Sequence, residues 1–162
     1  MNRTEHPFEP LYSKSSRVLI LGSFPSVRSR EQMFFYGHPR NRFWPVIAAV
    51  FDREVPQTVE EKKRLILSSG LALWDSVASC EITGSSDASI RGARANDISV
   101  ILDNCSIEQI YCNGRKSYEL YHRLIEPETG RGAVCLPSTS PANARWSLQM
   151  LTDAWKVIRE QR

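Results

Sequence analysis

The sequence predicts an α/β protein: a three-layer α/β/α fold around a central four-stranded parallel sheet. Two patterns predict it. Four short runs, at residues 18–21, 71–74, 110–112 and 134–136, are nearly all apolar rather than alternating, as strands are when helices cover both faces. Helical patterns lie between these runs, and strands alternating with helices imply right-handed βαβ units.

The elements follow in order. The first run, Val-Leu-Ile-Leu, ends on the turn Gly22-Ser23-Phe24-Pro25-Ser26. Residues 41–51 then carry Phe43, Trp44, Ile47, Val50 and Phe51 at helical spacing, and residues 59–67 read as a charged helix with Leu65 and Ile66 inward. The second strand is followed by Asp75-Ser76-Val77, and residues 97–104 form a short helix with Asn96 placed to cap it. After the third strand come Asn113-Gly114-Arg115 and a helix over 115–124 carrying Tyr118, Leu120, Tyr121 and Leu124. The fourth strand leads through a loop over 137–145 to a final helix over 146–158, with Leu148, Leu151, Ala154, Trp155 and Ile158. Parallel sheets of this kind bind ligands beyond the carboxyl ends of their strands, so the four segments after the strands are where a site belongs.

The chain has 162 residues, which fits one domain able to bury a core without staples. Its longest apolar runs are too short to cross a bilayer. The first ten residues are polar and lack the apolar stretch of a signal peptide, so the expected compartment is the cytoplasm. Net charge is +3, too mild to define a partner, although only five of the 21 basic residues are Lys, and Arg suits bidentate phosphate contacts. The four cysteines, Cys80, Cys105, Cys112 and Cys135, include no CxxC pair and no nearby His cluster, so neither a zinc nor an iron–sulfur site is expected. All four read as free thiols, with Cys112 and Cys135 as small buried hydrophobes in strands.

Two segments carry chemistry. Residues 33–44 pack five aromatics, His38, Asn41 and two Arg into twelve positions, a mixture able to stack a flat ring and offer hydrogen bonds beside it. The same composition also suits an aromatic plug at the sheet end, with Asn41 as a helix cap. The loop Ser138-Thr139-Ser140-Pro141-Ala142-Asn143-Ala144-Arg145 suits a phosphate grip at the start of a helix; it suits equally a Pro-bounded connection whose polar groups satisfy that helix start. A serine nucleophile is disfavoured: there is no G-x-S-x-G elbow, and His6 and His122 fall in a tail and a helix.

Three blocks occur in the order found in the uracil-DNA glycosylase superfamily: Gly22-Ser23-Phe24-Pro25, Gly37-His38-Pro39-Arg40-Asn41-Arg42-Phe43-Trp44, and Leu136-Pro137-Ser138-Thr139-Ser140-Pro141. From Arg17 onward the chain resembles that superfamily, and most of all its hypoxanthine-DNA (deoxyinosine) glycosylase branch. The eight-residue block is the specific part. The resemblance implies a DNA repair enzyme without metal or cofactor, acting as a monomer on DNA that contains a deaminated base. It implies that Asn41 holds the attacking water and that Tyr36 stacks on the flipped base. It assigns Gly22, Ser23 and Phe24 to base contact through the backbone, and Asp75 to base reading. It makes Ser138, Thr139, Ser140, Ala142, Asn143 and Arg145 a loop that enters the DNA. One departure stands out: mismatch-specific members carry a water-positioning Asn where this chain has Phe24, which points away from ordinary uracil removal and toward hypoxanthine. A uracil or thymine glycosylase, or a non-catalytic DNA-binding domain of the same fold, are the competing readings. A nucleoside hydrolase would need an aspartate cluster around a metal, which the sequence lacks.

Overall fold

A computed structural model describes residues 3–160. Its central sheet is parallel and four-stranded: β2 (Val18–Gly22), β3 (Leu71–Asp75), β6 (Gln109–Asn113) and β7 (Ala133–Leu136), in the order β3-β2-β6-β7. Each strand matches a predicted run with an added residue or two at its ends. The additions matter, because Gly22, Asp75 and Asn113 become the last residues of their strands rather than loop positions. Register places Gly22 opposite Asp75, Leu21 opposite Cys112 and Asn113 opposite Leu136. The carboxyl ends of all four strands therefore open on one side of the molecule.

Helices cover the sheet, giving the three-layer α/β/α arrangement. They are α1 (Val27–Gln32), α2 (Phe43–Val50), α3 (Val59–Ser68), α4 (Ser99–Leu102), α5 (Arg115–Leu120), α6 (Glu126–Thr129), α7 (Leu148–Trp155) and α8 (Val157–Glu160), with one turn of π-helix at Tyr121–Ile125 between α5 and α6. Leu19, Ile20, Leu71 and Leu73 are fully buried beneath Phe43, Ile47, Ile66, Leu151 and Trp155 in one cluster. Each such side chain contributes about 1.5–3 kcal/mol on leaving water. The start of α3 is fixed by a capping box, in which Thr58 and Glu61 each accept from the other's backbone N–H.

Four expectations are corrected. A second sheet, three-stranded and antiparallel, joins β1 (Thr4–Glu5), β4 (Val77–Glu81) and β5 (Arg91–Ala95) in the order β1-β4-β5. The N-terminal segment is thus no free tail. It pairs with β4, and Leu11 then exchanges backbone hydrogen bonds with Leu73 along the outer edge of β3. At the other edge, β7 is not covered on both faces: Val134 is 41% exposed and Cys135 is exposed, whereas its neighbour Cys112 is buried and its thiol is pushed up to about 12 by desolvation. Consecutive strand residues point to opposite faces, so exposure of both leaves this part of the edge strand uncovered on either side. Finally, Asn96 does not cap α4. Asp97 accepts from the Ser99 N–H instead, and the Asn96 amide donates to the carbonyls of Asp75 and Val77, joining the two sheets.

Candidate active site

A cavity of about 940 Å³ opens at the carboxyl ends of β2, β3, β6 and β7. It is bounded by the Gly22–Ser26 turn, the aromatic loop at 35–41, Asp75, Asn113, the loop at 136–143 and a hairpin at 85–88. Of the residues picked from sequence, Gly22, Ser23, Phe24, Tyr36, Asn41, Asp75, Ser138, Thr139, Ser140, Ala142 and Asn143 all line it. Arg145 is exposed beyond its rim, outside the lining set.

Asn41 is held by its amide oxygen. Oδ1 accepts from the Phe43 N–H at 2.9 Å, at the first turn of α2, and from the Thr139 hydroxyl at 2.8 Å. Thr139 is fully buried and in turn accepts from Asn113 Nδ2 at 3.0 Å, while the Thr139 N–H donates to Asn113 Oδ1 at 3.0 Å. These partners fix the amide orientation, since Oδ1 must be the atom facing two donors. The Asn41 Nδ2 group has no hydrogen-bond partner among the described residues and is what remains for a water or a substrate. The N-cap position itself is Arg42, which makes no side-chain cap bond; Asn41, one residue earlier, satisfies the first helical N–H and also lines the cavity.

Tyr36 follows a tight turn and has a left-handed backbone, φ 53°, a conformation that costs an L-residue about 1 kcal/mol or more. Phe43 stacks on its ring at 3.9 Å between centroids. Its hydroxyl is buried without a hydrogen-bond partner. Burial and the nearby Asp75 carboxylate raise its pKa well above the ordinary tyrosine value, so it stays a phenol. Asp75 is 4% exposed, and its Oδ2 lies 2.7 Å from His6 Nε2. Gly22 permits the approach of both groups: a Cβ there would meet Asp75 Oδ1 at 2.4 Å and the Tyr36 hydroxyl at 3.1 Å.

Phe24 turns away from chemistry and into a second apolar cluster with Val77, Cys80, Ile90 and Leu120, under the Arg30 guanidinium. Its neighbour Ser23 donates to Asp87 Oδ1 at 2.7 Å. Asp87 sits in a short 3-10 turn between β4 and β5. Although much of the residue faces solvent, its carboxyl is turned in to Ser23. Desolvation raises its pKa, the Ser23 hydrogen bond opposes that, and Asp75 adds to it. The loop at 138–145 is preorganised by Arg42, whose guanidinium donates to the carbonyls of Ser140 (3.1 Å), Asn143 (3.0 Å) and Trp146. Asn143 Nδ2 closes the loop on the Ser138 carbonyl at 2.9 Å.

Three residues of this site were not found by sequence reasoning: His6, Asp87 and Asn113. His6 and Asp87 come from the second sheet, whose polar strands gave no readable pattern. Asn113 did have a signal, since it follows an apolar run directly. Among the described residues, no group of three or more His, Cys, Asp or Glu is arranged to hold a metal.

A parallel sheet with an amide, a carboxylate and an aromatic side chain converging beyond its strand ends, beside a loop leading into a helix, is the arrangement of a base-excising glycosylase. The Uracil DNA glycosylase superfamily matches residues 9–159, and the chain belongs to that superfamily. It is 32% identical to the hypoxanthine DNA glycosylase of Methanosarcina acetivorans over 153 residues, 93% of this chain and 95% of that protein. It is 30% identical to the hypoxanthine DNA glycosylase of Methanosarcina barkeri, again over 153 residues, 91% of this chain and 93% of the other. The solution structure of a uracil DNA glycosylase candidate from Methanosarcina acetivorans has the same fold, with a TM-score of 0.81 and 28% identity over 97% of this chain and 98% of that one.

Proposed function

We propose that this DNA glycosylase hydrolyses the N-glycosidic bond of hypoxanthine in DNA, acting as a monofunctional, single-domain monomer. The observation that carries the reading is the cavity at the strand ends, in which Asn41, Tyr36 and Asp75 meet beside the loop at 138–143. The names of the two similar Methanosarcina proteins support the lesion.

A base within a duplex is out of reach and is first extruded, at a cost of a few kcal/mol that is least for a mispaired base such as hypoxanthine. Tyr36 receives the ring, and the turn at Gly22, Ser23 and Phe24 flanks it. Rupture of the glycosidic bond sends its electron pair to the base and leaves oxocarbenium character on the sugar. Asn41 is no base. Its Nδ2–H holds one lone pair of a water, leaving another lone pair for the sugar carbon. Positioning of this kind supplies several kcal/mol. The water oxygen bonds to the sugar and its proton passes to solvent or to the departing base, leaving free base and an abasic site. Ser138, Ser140 and Asn143 present the loop to the backbone beside the lesion, the buried Thr139 bracing it from within through Asn41 and Asn113; Ala142 occupies the gap left by the base, and Arg145 contacts a phosphate.

Duplexes that each hold one inosine, uracil, xanthine or oxanine, treated with enzyme and then alkali, test this. Alkali-dependent cleavage at inosine is the expected result. Cleavage at uracil but not inosine refutes the lesion, and binding without release of any base refutes the enzyme.

A further inference from the structure

Two buried features of the cavity floor are left over from stacking and water positioning. The Tyr36 hydroxyl has no partner, and a buried polar group in that state costs about 1–3 kcal/mol unless something else satisfies it. Asp75 has one carboxylate oxygen occupied by His6, while the other lies against Gly22. Both free oxygens, Tyr36 Oη and Asp75 Oδ1, lie within 3.1 Å of one point, the place a Cβ on Gly22 would take.

The geometry points to a donor–acceptor pair that reads the lactam edge of deaminated bases, with His6 as the residue that positions it. Tyr36 Oη donates to the ring carbonyl oxygen, Asp75 Oδ1 accepts from the adjacent ring N–H, and His6 holds Asp75 in place. The inference rests on the proposed function and on the base-reading role the resemblance implies for Asp75; it has Tyr36 meet the base at its edge through Oη instead of lying face-on, since Phe43 already covers one face of its ring, and adds the polarity of the pair and the part played by His6.

Deamination reverses the hydrogen-bonding edge of a base. Adenine and cytosine present an amino donor beside a ring-nitrogen acceptor; hypoxanthine and uracil present a carbonyl acceptor beside a ring N–H donor. The pair matches both products and opposes both parents. A tyrosine hydroxyl can turn and accept from an amino group, so rejection of adenine falls on Asp75, which as a carboxylate has no proton to offer. His6 donates to Oδ2 and so holds the carboxylate with Oδ1 turned toward Gly22 and the cavity floor. The Phe8 N–H faces its Nδ1 from 3.5 Å, which leaves Nε2 as the nitrogen that carries hydrogen. The ring is wedged against Phe8 and Trp74, each 4.5 Å between centroids, and its side chain is 3% exposed. The His6 N–H also donates to the Ala78 carbonyl at 2.8 Å, so the second sheet delivers this residue to the site. Guanine bears the same lactam edge, so discrimination against it lies outside this pair.

Single-turnover base release from duplexes with inosine, adenine, uracil or cytosine, and binding to a duplex with a tetrahydrofuran abasic analogue, test the pair in Tyr36→Phe, Asp75→Asn, His6→Phe and His6→Gln. Tyr36→Phe keeps the stack on Phe43, so it is the arm that stands if the His6 variants fail to fold. It is expected to slow inosine release about tenfold with abasic-analogue binding unchanged. Asp75→Asn is expected to slow inosine release and to shrink the inosine-to-adenine ratio, because an amide can turn a donor to the base. His6→Phe should follow Asp75→Asn, and His6→Gln, which keeps an N–H donor, should recover toward the wild-type rate. The reader is refuted if Tyr36→Phe stays within about twofold of wild type on inosine, or if His6→Phe and His6→Gln lose equally. A wild-type protein that releases no hypoxanthine refutes the proposed function instead.

Discussion

Replacing Asn41 by Ala and by Asp separates the structural duty of this side chain from the catalytic one proposed for it. Its Oδ1 holds Phe43 N–H and the Thr139 hydroxyl, and its Nδ2 is the atom left for chemistry. Asn41→Ala removes everything. Loss of the bond at the start of α2 costs about 1 kcal/mol, and the fully buried Thr139 hydroxyl loses its acceptor at a further ~1–3 kcal/mol. At about 2–4 °C per kcal/mol for a chain of this size, the melting temperature falls several degrees. Asn41→Asp keeps an oxygen where both donors need it and replaces the Nδ2 donor by a second, charged acceptor oxygen. Its melting temperature should stay within about 2 °C of wild type, while single-turnover release of hypoxanthine falls about 10²–10³-fold, the usual loss for one preorganised donor. Binding to the inosine duplex should remain within a few-fold for both. A wild-type rate in Asn41→Asp would refute the argument, because the acceptor oxygen and not the amide N–H would then be the working atom. Equal losses of stability in both variants would show that the hydrogen bonds to Phe43 and Thr139 are not what fixes the residue.

Gly22→Ala pushes a Cβ to within 2.4 Å of Asp75 Oδ1. Because His6 holds Asp75 from behind, the clash should cost about 1–3 kcal/mol and most of the base release, read by thermal unfolding and single-turnover assay. Asp87 takes up its proton at higher pH than an ordinary carboxyl, so the folded state binds that proton more tightly than the unfolded one and ionisation of Asp87 works against folding. Asp87→Asn, which can still accept from Ser23, should therefore melt higher than wild type at neutral pH, with the gap closing as pH falls through the carboxyl range. Arg145→Ala should weaken binding to all duplexes alike and flatten the salt dependence of log K by about 0.9, one phosphate's share; an unchanged slope means the residue does not touch the backbone.

The central sheet was legible because burial on both sides leaves strands no room for polar residues, as Leu19, Ile20, Leu71 and Leu73 show. The same rule misled at β7, where an apolar run forms an edge and Cys135 faces outward. The second sheet was illegible for the opposite reason. Its strands, Val-Ala-Ser-Cys-Glu and Arg-Gly-Ala-Arg-Ala, are short and broken by polar residues, and β5 is mostly exposed. β4 and β5 pair with each other, but the third strand joins only because Thr4–Glu5 lies beside Val77–Glu81, a contact between distant parts of the chain that no local pattern encodes. The residues lining the cavity were legible where chemistry is concentrated in one stretch, as in 33–44. They were hidden where one side chain arrives alone from afar, as His6 and Asp87 do.

That division bears on the change at Phe24. Beside the mismatch-specific enzymes, which the resemblance gives a water-positioning Asn on the first turn, a phenylalanine there looks like lost function. Here Phe24 is buried with Val77, Cys80, Ile90 and Leu120, in the core that joins the second sheet to the strand ends. The same packing brings His6 within 6.0 Å of the Phe24 ring, and the backbone carries Ser23 to Asp87. An apolar residue at this turn thus anchors the sheet that supplies the site with His6 and Asp87, and under the proposed function the amide work falls to Asn41, just before α2. If so, Phe24→Asn should not restore uracil chemistry. It should place an unsatisfied amide in an apolar cluster, at a cost of about 1–3 kcal/mol, and lower inosine release by loosening His6 and Asp75. A Phe24→Asn protein that folds as well as wild type and excises uracil faster would show that the turn had merely lost a catalytic group.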